Sequence, residues 1–168
     1  MDKNELLKLL DNVTGEEKKS TFTKHSKVLL IDGLNLFLRN FAVMNYVNEK
    51  NVHIGGLVGF LRSLAYYIKT INPTSVYIIF DGEGSATNRK NLLPEYKSNR
   101  NLSRITNWEI FKNLDEEQEA KSNQIVRLTH YLRCLPIHTA VIDKVEADDI
   151  IAHMANKIAE KPNTHTYI

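Results

Sequence analysis

Two stretches read alike: Lys27-Val-Leu-Leu-Ile-Asp-Gly33 and Thr74-Ser-Val-Tyr-Ile-Ile-Phe-Asp-Gly82. Each is a strand-length run of apolar residues closed by Asp-Gly, which is the pattern of a strand buried on both faces. Between them lie two helical patterns, Leu34 to Met44 and Gly55 to Ile71. In the second, Leu57, Phe60, Leu61, Leu64 and Ile68 recur at helical spacing, and Pro73 ends it. After the second Asp-Gly comes a polar connection to about Asp115, then a helix to Leu132 and a strand from Ile137 to Ile142. A helix from Glu146 to Ile158 and a strand begun at Thr164 complete the order β-α-α-β-insert-α-β-α-β. Strands alternating with helices predict an α/β fold, a mostly parallel central sheet with helices on both faces.

The 168 residues suffice for one domain with a real core. Residues 1–26 are polar apart from a short leucine cluster and read as an extension; residues 27–168 form the core. With 42% hydrophobic and 25% charged residues, the composition is that of a soluble globular chain. No apolar run is long enough to span a membrane as a helix. The single cysteine, Cys134, excludes an intramolecular disulfide and reads as a small buried hydrophobe between Leu132 and Leu135. A cytoplasmic setting is expected, the host cytoplasm if the gene belongs to a phage.

The net charge of +2 decides nothing, but its distribution does. From Gly84 to Lys112 the bases Arg89, Lys90, Lys97, Arg100, Arg104 and Lys112 face only Glu95 and Glu109, and Asp115-Glu-Glu-Gln-Glu119 follows at once. Structureless connections of this length are uncommon in a compact domain and are often functional. Ligands of an open parallel sheet bind beyond the carboxyl ends of its strands. Asp32 and Asp81 stand at two such ends, and Glu146, Asp148 and Asp149 open the helix after the third. Each feature has a plain structural alternative: Asp-Gly is a common turn, and acids in a first turn favour the helix dipole. Three acidic features at three successive strand ends converge without adjustment. Their mutual repulsion calls for a cation that prefers oxygen ligands or for some of them to stay protonated; Mg²⁺ or Mn²⁺ suits the first case, and its natural chemistry is phosphodiester hydrolysis.

Ile31-Asp-Gly-Leu-Asn-Leu-Phe-Leu-Arg39, Phe80-Asp-Gly82, Arg89, Tyr96-Lys97, Arg100 and Val145-Glu-Ala-Asp-Asp-Ile-Ile-Ala152 together resemble the 5′-nuclease superfamily. That family, with a PIN-like fold, includes flap endonucleases and the 5′-nuclease domain of bacterial DNA polymerase I. Asp143-Lys-Val-Glu-Ala-Asp-Asp149 and the Trp108-Glu109 region are most similar to its T-even-phage ribonuclease H branch, which removes RNA primers and adjacent DNA. The resemblance implies that Asp32, Asp81, Glu146 and Asp148 hold a first metal ion directly or through water, with Asp149 as ligand or support. It implies a basic helical arch in which Arg89 and Lys97 contact the scissile phosphate, Tyr96 stacks near the strand end, and Arg100 holds backbone phosphate. Arg104 is expected to bind nucleic acid as well, though a solvated basic loop remains an alternative for it.

The expected partners are 5′ ends, flaps and RNA·DNA duplexes, with a single-strand-binding protein or polymerase clamp as further partner classes, and the expected state is a monomer. The family's second aspartate pair, which would bind a second ion, is not found before Tyr167-Ile168. The fourth strand is therefore expected to be truncated and the site to be a partial one. A PIN-type ribonuclease, which lacks a long basic insert, and a non-catalytic nucleic-acid-binding module are the two rivals.

Overall fold

The computed structural model describes residues 25–85 and 105–168. Strand β1 spans Ser26–Asp32, helix α1 Gly33–Val43, helix α2 Gly55–Ile71 and strand β2 Ser75–Asp81. Helix α3 spans Leu114–Leu132, strand β3 His138–Ile142, helix α4 Ala147–Ala159 and strand β4 Thr164–Tyr167. The elements follow the expected order. The sheet is parallel throughout, in the order β3-β2-β1-β4, so the two strands closed by Asp-Gly lie side by side at its centre.

Alternation along β1 decides which helices cover which face. Leu29 and Ile31 point into a core with Phe37 and Phe41 of α1, Phe60 and Leu64 of α2, and Leu128 and Leu132 of α3. Val28 and Leu30 point the other way, where with Ile79 they pack on Ile150 and Ile151 of α4. Among the described residues, three helices thus cover one face and a single helix the other. At roughly 1.5–3 kcal/mol for each fully buried large apolar side chain, these two layers dominate the stability of the sheet. The edge strand β3 is exposed along most of its length, Val141 and Ile142 included. β4 pairs with β1 from Ser26 to Leu29.

Helix ends are set by local chemistry. Asp32 caps α1, its side chain accepting from Asn35 N–H at 2.9 Å. Asn113 caps α3 through Glu116 N–H at 2.8 Å, and Asp115, Glu116 and Glu117 fill the first turn, where the helix dipole favours acids. α2 stops at Asn72, which is left-handed with φ 50°, one residue before Pro73. Cys134 departs from expectation. It is exposed rather than buried, because it lies just past the end of α3, where its Sγ meets the His130 carbonyl at 3.5 Å.

Candidate functional site

Asp32 and Asp81 close the central strands β1 and β2, and Asp148, in the first turn of α4, is near enough for its charge, like that of Asp81, to act on Asp32. Burial pushes the Asp32 carboxyl above its ordinary range, and the negative charges of Asp148 and Asp81 push the same way, against the N–H bond from Asn35. Asp81 is oriented by α4, since Ala147 N–H donates to its Oδ1 at 2.7 Å. Gly82 makes this approach feasible. A Cβ there would stand 1.9 Å from the Ile142 carbonyl oxygen, while Gly82 N–H donates to Val145 O at 3.2 Å. Any larger residue would push the end of β2 away from the β3–α4 turn and take Asp81 with it.

The acids of the Val145–Asp149 stretch separate by role. Asp148 and Asp149 are exposed in the first turn of α4, whereas Glu146 precedes that helix as its N-cap and is buried. The expected helix from Glu146 starts one residue later: the extended backbone of Glu146 (ψ 150°) puts it outside the helical repeat. Among the described residues, no three His, Cys, Asp or Glu side chains stand close enough together to hold one ion. The donor set of Asp32, Asp81 and Asp148 is all oxygen, and the strain on Asp32 is of the kind a cation relieves. That fits a hard divalent ion held partly through water.

A cavity of about 480 Å³ lies beside Asp32, lined by residues of β1, α1, α2, α4 and the end of β4. Asp32, Asn35, Arg39 and Asp148 line its polar part, and Leu36, Tyr67, Ile71 and Ile151 its apolar part. Arg39 had been assigned no role from the sequence. Its signal was spacing, since Asp32, Leu36 and Arg39 repeat on one helical face. Arg89, Tyr96, Lys97, Arg100 and Arg104 lie outside the described residues.

The segment leaving the insert is anchored by a residue the sequence reading missed. Glu117 of α3 is fully buried and its carboxylate accepts from Thr106 N–H at 2.9 Å, Asn107 N–H at 3.1 Å and the Thr106 hydroxyl. Lys121 Nζ stands 3.4 Å away. Burial alone would raise this carboxyl, but the bonds from Thr106 and Asn107 and the charge of Lys121 outweigh it and hold it below its ordinary value. In the sequence Glu117 is one acid of the Asp115–Glu119 run. Its position one helical stripe from Gln124, Leu128 and Leu132, all buried, was the available signal.

Comparison with known proteins adds an independent line. Residues 27–168 match the family model described as the 5′-3′ exonuclease, N-terminal resolvase-like domain. DNA polymerase I of Borreliella burgdorferi is 33% identical over 145 residues, covering 84% of this chain and 14% of that protein. The 5′-3′ exonuclease of Bacillus subtilis is 30% identical over 142 residues, covering 82% of this chain and 43% of that protein. Among solved structures, a bacteriophage T5 flap endonuclease in complex with DNA and metal ions superposes with a TM-score of 0.56 at 19% identity. It covers 79% of this chain and 44% of that one; at this identity it shows a shared fold. The chain thus spans less than half the length of these relatives.

Proposed function

From the premise that this chain belongs to the 5′-3′ exonuclease N-terminal, resolvase-like domain family, we propose that it forms the acidic half of a divalent-metal-dependent 5′ nuclease. The observation that carries this reading is that Asp32, closing β1, feels the charges of Asp81 at the end of β2 and of Asp148 in the first turn of α4, its carboxyl raised by burial and by both. Asp32, Asp81 and Asp148 would hold Mg²⁺ or Mn²⁺, with Glu146 and Asp149 completing or supporting the set and a second ion in the whole protein. A bound ion would polarise the scissile phosphate and the attacking water.

The chain's own residues supply the rest. The N–H of Ala147 fixes the Asp81 carboxylate in orientation, and the N–H of Asn35 does the same for Asp32. Arg39, in the cavity wall beside Asp32, is placed to hold a phosphate of the strand entering the site. Arg89 and Lys97 would offset charge developing on the reacting phosphate, while Tyr96, Arg100 and Arg104 would grip the strand. The proposed substrates are 5′ ends, flaps and RNA·DNA duplexes, with RNA-primer removal as the setting. The DNA held by the T5 enzyme and the exonuclease and flap endonuclease relatives support the nucleic-acid part of this reading.

The test is cleavage of a 5′-labelled flap and a nicked RNA·DNA duplex by the chain and by any longer native form. Mg²⁺ or Mn²⁺ should be required, EDTA should stop the reaction, and Asp81→Asn should lower turnover by on the order of 10²-fold or more with the fold intact. Full turnover by Asp81→Asn, or no metal-dependent cleavage by any form, contradicts the proposal.

A further inference from the structure

The sequence holds one tryptophan, and Trp108 is 76% exposed. Its exposure is built rather than incidental. On one side Asn107 is buried, its amide donating to Phe41 O at 3.2 Å and Asn45 Oδ1 at 2.9 Å, while its backbone N–H is held by Glu117. On the other side Phe111 is buried and stacks on Phe41, ring centroids 5.5 Å apart and nearly parallel. Phe111 N–H closes the turn onto Asn107 O at 3.0 Å. A turn clamped at both ends therefore presents the largest side chain to solvent.

Beside the indole is a cavity of about 280 Å³, walled by Ala42, Val43, Asn45, Thr106 and Glu109. Val43 is also 69% exposed, and the Asn45 amide is engaged by Glu109, so the wall offers a small apolar surface with an already satisfied polar rim. Two exposed apolar residues are too few for a protein interface, which buries about 800 Å² on each partner. One flat ring is the better occupant. In sequence, Trp108 stands four residues past Arg104, the last cation of the basic stretch before it, so a polyanionic strand is the ligand with both a charge and a ring to offer.

We propose that Trp108 is a stacking platform for one unpaired base of a nucleic-acid strand, beside the foot of the insert and distinct from the acidic cluster. The proposal rests on the nuclease reading for the class of ligand. A rigid ring loses little conformational freedom on binding, and stacking tolerates any base, as an enzyme acting on arbitrary ends requires.

Because Trp108 is the sole tryptophan, emission excited beyond tyrosine absorption reports this residue alone. Oligo(dT) added to the chain at low salt with EDTA should quench that emission saturably, at the midpoint given by anisotropy of a labelled oligonucleotide. Trp108→Ala should weaken binding about tenfold, equivalent to ~1.4 kcal/mol. Trp108→Phe should retain most of the affinity, and an abasic strand of equal length should neither quench nor distinguish the variants. Binding with the indole unquenched and Trp108→Ala equal to wild type overturns the platform while leaving the nuclease reading standing. Equal quenching by the abasic strand also overturns it, and no binding by any form overturns both.

Discussion

Glu117 shows how one carboxylate can organise its surroundings. It ties Thr106 and Asn107 to α3 and pairs with Lys121, whose ammonium lies 5.3 Å from the centre of the Phe41 ring. Because its folded carboxyl titrates below the ordinary value of 4.5, its contribution is fully present above that value and is lost as pH falls toward the folded one. Glu117→Gln leaves a donor amide facing donors and should cost about 2–3 kcal/mol at neutral pH, the range for a buried, charge-assisted bond. Urea midpoints measured from about pH 3 to 7 should show a shallower acid limb in the variant. Parallel limbs would remove Glu117 from this role. That Asp32 and Asp81 end neighbouring strands was legible, because an apolar, strand-length run closed by Asp-Gly marks where a strand stops. Glu117 was not, because an acid among acids carries no local mark of burial.

At the scale of elements, the α1–α2 hairpin is pinned by a buried polar relay. His53 is buried with its Nε2 at 2.7 Å from Met44 O and its Nδ1 at 3.2 Å from the Gln124 amide; Gln124 also accepts from Leu57 N–H at 3.0 Å. This arrangement fits a neutral imidazole that donates through Nε2 and accepts at Nδ1. Burial lowers the His53 pKa from its ordinary 6.5, against the Met44 bond and the charge of Glu117. Its stabilising contribution is therefore complete above 6.5 and falls as pH drops toward the folded value, where the unfolded chain alone takes the proton. Protection factors of amides in residues 44–57 should fall relative to those of the sheet as pH drops below 6.5, and Gln124→Ala should bring that loss of protection to neutral pH. Uniform exchange across the molecule would contradict a local relay. Elements themselves were largely legible. α2 has the bounds that its periodicity and Pro73 require, and most other ends fall within a residue or so, where caps decide. The relay was hidden, since neither His53 nor Gln124 belongs to a motif and their contact is made only when α3 packs on α2.

For the whole molecule, parallel strands with helices on two faces followed from the alternation of elements, and the adjacency of the two Asp-Gly strands puts Asp32 and Asp81 at neighbouring strand ends. That Glu146 stands at the N-cap rather than inside α4 was not legible, because it depends on where α4 starts to wind. The central claim is that Asp32, Asp81 and Asp148 form a divalent-cation site, and the melting temperature of the chain with Mn²⁺ or EDTA tests it most directly. Asp32→Asn is the informative variant, since asparagine caps a helix as well as aspartate does. A ligand at about a hundred times its dissociation constant stabilises by roughly 2.7 kcal/mol. The account predicts that Mn²⁺ raises the melting temperature of the wild type. It also predicts that Asp32→Asn, relieved of a carboxylate strained by its neighbours, melts higher than wild type in EDTA and gains little from Mn²⁺. A wild type indifferent to Mn²⁺, or an Asp32→Asn variant that gains as much as wild type, would contradict it.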